Sequence, residues 1–138
     1  MRGLSMDRTT VPVQSLNALT LVTADMAASV GFYTALGFEI AFGGADDPSF
    51  TSFRVGSGFL NVQFDPAFAG VTTVWGRPIF WVDDVDAMYE RAVAAGYTPS
   101  LAPSDAPWGE RYFHIADPAG HEISFAQPLG RRPASAVR

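Results

Sequence analysis

DMAASVGFYTALG, Asp25 to Gly37, and DVDAMYERAVAAG, Asp84 to Gly96, are two versions of one phrase. Each opens on an Asp, closes on a Gly twelve positions later, and the copies start 59 positions apart. An Asp at the start of an apolar-periodic segment is a helix cap, because its carboxylate accepts from the open amides of the first turn. A Gly at the end stops the helix, since a residue without Cβ takes a left-handed backbone at little cost. In the first copy Met26, Val30, Tyr33 and Leu36 recur at helical spacing and mark the buried stripe.

The phrase is framed alike both times. LNALTLVT, Leu16 to Thr23, precedes the first copy, and GRPIFWVD precedes the second. Both are short, apolar and rich in β-branched or aromatic residues, as strands are. After the first helix come strands at 38–42, 50–55 and 59–64, with the loop GGADDPS and a hairpin turn at Gly56–Gly58. After the second come strands at 97–101, 112–115 and 122–125, the last two joined by the turn DPAG at Asp117–Gly120. DPAFAGVTTVW links the halves. The expectation is an α+β fold of two tandem βαβββ modules, 15–70 and 75–128, in a single domain spanning 15–128. A loose leader covers 1–14 and a flexible tail 129–138.

Bulk properties narrow the function. A chain of 138 residues with 48% hydrophobic and 17% charged residues builds one cored domain. Fourteen acidic against nine basic residues leave a formal charge of −5, which disfavours nucleic acid and anionic membranes as partners. The basic cluster Arg131, Arg132 and Arg138 sits in the terminal stretch GRRPASAVR. There is no cysteine, so disulfides, thiolate metal sites and cysteine nucleophiles are excluded. No apolar run approaches the ~20 residues of a membrane span, and MRGLSMDRTT lacks the apolar stretch of a secretory signal. A cytoplasmic location is expected. Nucleophile elbows, phosphate loops and dinucleotide fingerprints are missing.

Three ordered stretches resemble the vicinal oxygen chelate superfamily of glyoxalases, extradiol dioxygenases and bleomycin-resistance proteins. They are TADMAASVGFYTALGFE, WVDDVDAMYERAVAAG and WGERYFHIADPAGHEISFAQP. The resemblance covers roughly residues 16 to 128. It implies that each module is a half-open barrel whose concave sheet holds a pocket. It also implies a metal in the enzymes, held by His, Gln or Glu on the first and last strands of each module, and metal-free drug binding at a dimer interface in the resistance proteins. The ligand slots that the resemblance designates are Ala18 and Arg77, seven residues before each capping Asp, with Ser124 and a position near Leu60–Val62 where Asn61 is the polar residue. Ala18 has no donor atom and Arg77 donates only. A divalent ion needs several oxygen or imidazole donors together. No metal and no cofactor are expected. Glu122 lies two residues before Ser124 and shares its face, and His114 can lie opposite, but one His and one Glu are too few.

Strand alternation sorts the remaining candidates. Pro78, Phe80, Val82, Phe113, Ile115, Ile123 and Phe125 are assigned to the helix side. The concave side then carries Arg77, Ile79, Trp81, Tyr112, His114, Glu122 and Ser124, with Trp75 and Trp108 on loops at its edges. Flat aromatic walls with a few polar groups suit a planar or heteroaromatic ligand, and the net negative charge favours a cation. Plainer roles compete: Trp81 as barrel filling, Trp108 as a loop anchor, Arg77 as an ion-paired surface residue, His114 as a structural histidine, and Asp25, Asp84, Asp117 and Gly120 as caps and turns. The expected function is metal-independent binding of an aromatic or cationic antibiotic-like small molecule by a homodimer. The alternative is a metal-dependent glyoxalase-like lyase or dioxygenase with an atypical site, and a third is an interaction module without a ligand.

Overall fold

The computed structural model describes residues 11–130. Most of the expected leader and tail, including Arg131, Arg132 and Arg138, lies outside the described residues. Ten elements follow in order: β1 (Ala18–Thr23), α1 (Met26–Ala35), β2 (Glu39–Phe42), β3 (Phe50–Val55), β4 (Gly58–Phe64), β5 (Ile79–Trp81), α2 (Val85–Ala94), β6 (Leu101–Ala106), β7 (Glu110–Ala116) and β8 (Glu122–Pro128). They form two βαβββ modules, each with a four-stranded mixed sheet, ordered β1-β4-β3-β2 and β5-β8-β7-β6. In each sheet the strand before the helix pairs in parallel with the last strand of its module, and the other pairs are antiparallel.

Local chemistry explains the elements. Asp25 caps α1 by accepting from the Ala28 amide at 3.0 Å, and Asp84 caps α2 by accepting from the Ala87 amide at 3.0 Å. Each cap is worth about 1 kcal/mol. Gln127 on β8 adds a second acceptor at the start of α2, taking the Val85 amide at 2.5 Å. Gly37 and Gly96 end the helices with φ of 93° and 95°.

The expected stripe of α1 is buried, and so are Ser29 and Phe32. α1 is enclosed on more than one side, whereas α2 fully buries only Val85 and Ala92. The reason is position. The core is one continuous cluster running through both modules, and α1 lies inside it. Phe32 meets Tyr97 edge-on at 4.8 Å, and Phe38 meets Phe80 edge-on at 5.0 Å, so aromatic rings cross the seam between modules. The expected helix-side residues Phe113, Ile115, Ile123 and Phe125 are fully buried there.

One strand is displaced from its sequence reading. The stretch 97–101 is expected to be extended, but β6 begins at Leu101 and runs through Pro103. β6 is an edge strand, so the missing amide of Pro103 costs no ladder bond, and a register shift between Leu101 and Ser104 absorbs the ring. Tyr97 instead turns into the core against Phe32. No helix among the described residues is long and apolar enough to cross a membrane.

Candidate functional site

The three strands β5, β8 and β7 stand side by side, and their register stacks one row of side chains on the concave face. Ile79 is opposite Ser124, which is opposite His114. Trp81 is opposite Ala126, which is opposite Tyr112. Along β7 the same face carries Glu110, Tyr112 and His114, two residues apart each time, as a pleated strand requires. Trp108 sits in the turn before β7, where Gly109 with φ of 98° lets the chain reverse.

These residues enclose a cavity of about 270 Å³ lined by Arg77, Ile79, Trp108, Glu110, Tyr112, His114, Ser124 and Ala126. The aromatic wall is a ladder. The rings of Trp108 and Tyr112 stack at 6.3 Å with planes 23° apart, and Tyr112 is tilted against His114 at 5.2 Å. Glu110 is 4% exposed, and its carboxylate accepts from the Trp108 indole N–H at 2.5 Å. An acidic group at the indole edge beside stacked aromatic rings is a combination that suits an organic cation. At the other end Arg77 and Glu122 form an ion pair at 2.5 Å. Ser124 is buried and spends its hydroxyl proton on the Phe113 carbonyl at 3.1 Å.

His114 is half-buried between these ends. Burial lowers its pKa below the ordinary imidazole range, the charge of Arg77 lowers it further, and Glu122 pulls the other way. Its Nδ1 is buried with no hydrogen-bond partner among the described residues. The ring is therefore held neutral near pH 7, a weak polar contact and not a fixed cation.

Of the eight residues expected at the site, the structure brings Arg77, Trp108, Tyr112, His114 and Ser124 into one cavity, with Glu122 paired at its end. Trp81 and Trp75 go elsewhere. Trp81 borders a separate hollow of about 230 Å³ beside Gly37, Phe38 and Arg54 of the first module. It ends β5, an edge strand of its sheet. Alternation decides the side of a sheet, but over two residues a strand also advances about 6.6 Å, enough to leave a small cavity. Trp75 donates its indole N–H to Nδ1 of buried His121 at 3.0 Å, while His121 Nε2 lies 2.9 Å from the Val22 carbonyl. Phe68 stacks on the same imidazole at 5.7 Å. Trp75 thus fastens the linker over the turn before β8 and not the cavity rim.

Glu110 is the residue that sequence reading missed. The strand was expected to begin at Tyr112, and extending the alternation of GERYFHI two positions back finds Glu110 on the same face.

The metal slots do not fit a divalent ion. Ala18 has no donor, Arg77 is a bound cation, and the Ser124 hydroxyl is engaged. Asn61 is held by its own face, accepting from Ser52 at 2.7 Å and donating to Thr20 at 3.2 Å. No group of three or more His, Asp or Glu side chains converges among the described residues.

Comparisons with known proteins agree on the architecture. Residues 15–125 match the family model described as the Glyoxalase/Bleomycin resistance protein/Dioxygenase superfamily. An uncharacterized protein of Mycobacterium bovis is 33% identical over 123 residues, covering 79% of this chain and 80% of its own. A glyoxalase/bleomycin resistance protein/dioxygenase crystal structure from Nocardioides superposes with a TM-score of 0.71 at 26% identity, covering 93% of both chains. Lactoylglutathione lyase from Agrobacterium tumefaciens superposes with a TM-score of 0.68 at 21% identity, covering 84% of this chain and 95% of its own, a likeness of fold.

Proposed function

The chain belongs to the glyoxalase/bleomycin resistance protein/dioxygenase superfamily, and from that premise we propose that it is a metal-independent binding protein for an aromatic, cationic, antibiotic-like small molecule. The observation that carries this reading is the buried Glu110 carboxyl group held by the indole N–H of Trp108, whose ring stacks with Tyr112 in the same cavity wall. Rings supply area and π faces, and the carboxylate supplies the opposite charge inside a low-dielectric wall. His114, held neutral, adds polarity without repelling a cation. The arrangement holds a ligand and offers no activated nucleophile.

The cavity is open on one side, since its lining comes wholly from the second module. Ile79, Trp81 and Trp108 remain 43%, 45% and 46% exposed around the same sheet. We read this as a face that a second copy covers, making the working form a homodimer.

The test combines two measurements. Aromatic cationic antibiotics titrated against tryptophan fluorescence should saturate at one ligand per chain. Elemental analysis after exposure to Zn²⁺, Ni²⁺, Mn²⁺ and Fe²⁺ should find no stoichiometric metal. A tightly held ion that switches on turnover would replace this reading with the lyase or dioxygenase alternative.

A further inference from the structure

Ile79, in the wall of the aromatic cavity, also lines a second cleft of about 280 Å³, set at the seam where β1 and β4 of the first module approach β5 of the second. Its walls include Ala18, Leu19, Phe59, Leu60, Pro78 and Ile79, and none of its lining residues carries a charge. The contrast with the neighbouring cavity, which holds Arg77 and Glu110, is sharp. The cleft is preformed. The Phe59 amide donates to the Asn17 carbonyl at 3.0 Å, and a Cβ on Gly58 would come within 2.6 Å of that same oxygen. The lead-in to β1 is thus clamped onto β4, and the wall does not need to be ordered by a ligand.

We propose that the two spaces are one site and that its ligand is amphipathic: an aromatic cationic head in the Trp108–Tyr112–Glu110 cavity and an unbranched apolar tail passing Ile79 into the seam cleft. This inference rests on the binding reading above and extends it to the ligand class. Size supports the union. Small-molecule sites occupy about 300 to 1,000 Å³. Neither space reaches that range alone, at about 270 and 280 Å³, and together they do. Chemistry supports the tail, because the cleft holds no charge and its walls are mostly apolar, with Asn17 and Ser57 the polar side chains among them, so burying hydrocarbon there is favourable. The cleft takes residues from both modules, so it exists only when the modules are packed as one body.

The test uses two probes on the full chain by titration calorimetry, benzyltrimethylammonium and benzyldimethylhexylammonium. The hexyl probe should bind about tenfold tighter or better, with a more negative heat-capacity change from the apolar surface removed from water. Ala18→Phe, which fills the cleft from β1, should erase that gain while leaving benzyltrimethylammonium affinity unchanged. Ser57→Phe, at an exposed turn position lining the same cleft, should do the same without touching the sheet. Equal affinity of both probes for the parent protein overturns the tail site and leaves the head site standing. A hexyl gain that survives both substitutions places the tail elsewhere and also overturns it. Loss of a dimer on Ala18→Phe, with no hexyl gain in the parent, assigns the cleft to a subunit contact. Failure of either probe to bind at all removes the head site, and the binding reading falls with the inference.

Discussion

The Tyr33 hydroxyl donates to Oδ2 of Asp117 at 2.7 Å, joining two buried residues 84 positions apart. Tyr33 lies on α1 of the first module, and Asp117 opens the turn before β8 in the second. The other oxygen of Asp117 accepts from the amides of Ala119 and His121 at 3.0 and 2.9 Å. One carboxylate therefore shapes the turn and ties it to the opposite module. Burial raises the Tyr33 pKa well above 10.0, and the charge and hydrogen bond of Asp117 raise it further, so the phenol keeps its proton.

Tyr33→Phe should destabilise the protein by about 1–3 kcal/mol, because a buried acceptor loses its partner while the ring still fills its place. Urea unfolding measures it. A midpoint equal to that of the parent would mean that water or a rearranged side chain replaces the hydroxyl.

Trp108→Ala should weaken binding of an aromatic cation by about 1–3 kcal/mol through lost stacking and burial. Trp81→Ala should change the affinity for a ligand confined to the cavity less than twofold, because Trp81 borders the other hollow. Parallel fluorescence or calorimetric titrations of the two variants check the pair. Equal losses would restore Trp81 to the site.

Glycines separate by geometry. Gly31 lies exposed on α1 with nothing within 4 Å of a built Cβ, so Gly31→Ala should stabilise by about 0.5–1 kcal/mol. Gly120 has φ of 94°, and a Cβ there would collide with the Val71 carbonyl oxygen of the linker. Gly120→Ala should therefore destabilise by at least about 1–3 kcal/mol. Thermal unfolding of both variants should move in opposite directions.

The pH dependence of stability follows from His114. Its folded-state pKa is below the ordinary imidazole value of 6.5, with burial the largest cause. The unfolded chain then takes up the proton first as pH falls. The stability that the neutral ring contributes is fully present above about 6.5 and is lost as pH drops through 6.5 toward the folded value. Denaturant midpoints measured from pH 7.5 to 5 should decline in that window, and His114→Gln should flatten the decline. An unchanged slope in the variant would assign the effect to another group.

Much of this protein is legible along the chain. The repeated Asp-to-Gly phrases determine both helices, since capping and termination depend on residues a few positions apart. Period-two alternation separates the core side from the cavity side on β7 and β8: Phe113, Ile115, Ile123 and Phe125 are fully buried in the core, and Tyr112 and His114 face the cavity. The poor fit of Ala18 and Arg77 to a divalent ion is equally local, because neither side chain has a donor atom for one whatever surrounds it.

Only the tertiary structure decided where the aromatics outside β7 would go. Trp75 meets His121, 46 positions away, and Trp81 leaves the cavity for the seam with Gly37 and Arg54. Glu110 joins the cavity wall because β7 starts two residues earlier than its apolar pattern shows. The cleft beside Ile79 is built from both modules and has no signature in either. Short-range rules specify an element and its faces, but a cavity is the space left between elements, and its position depends on how the two modules pack.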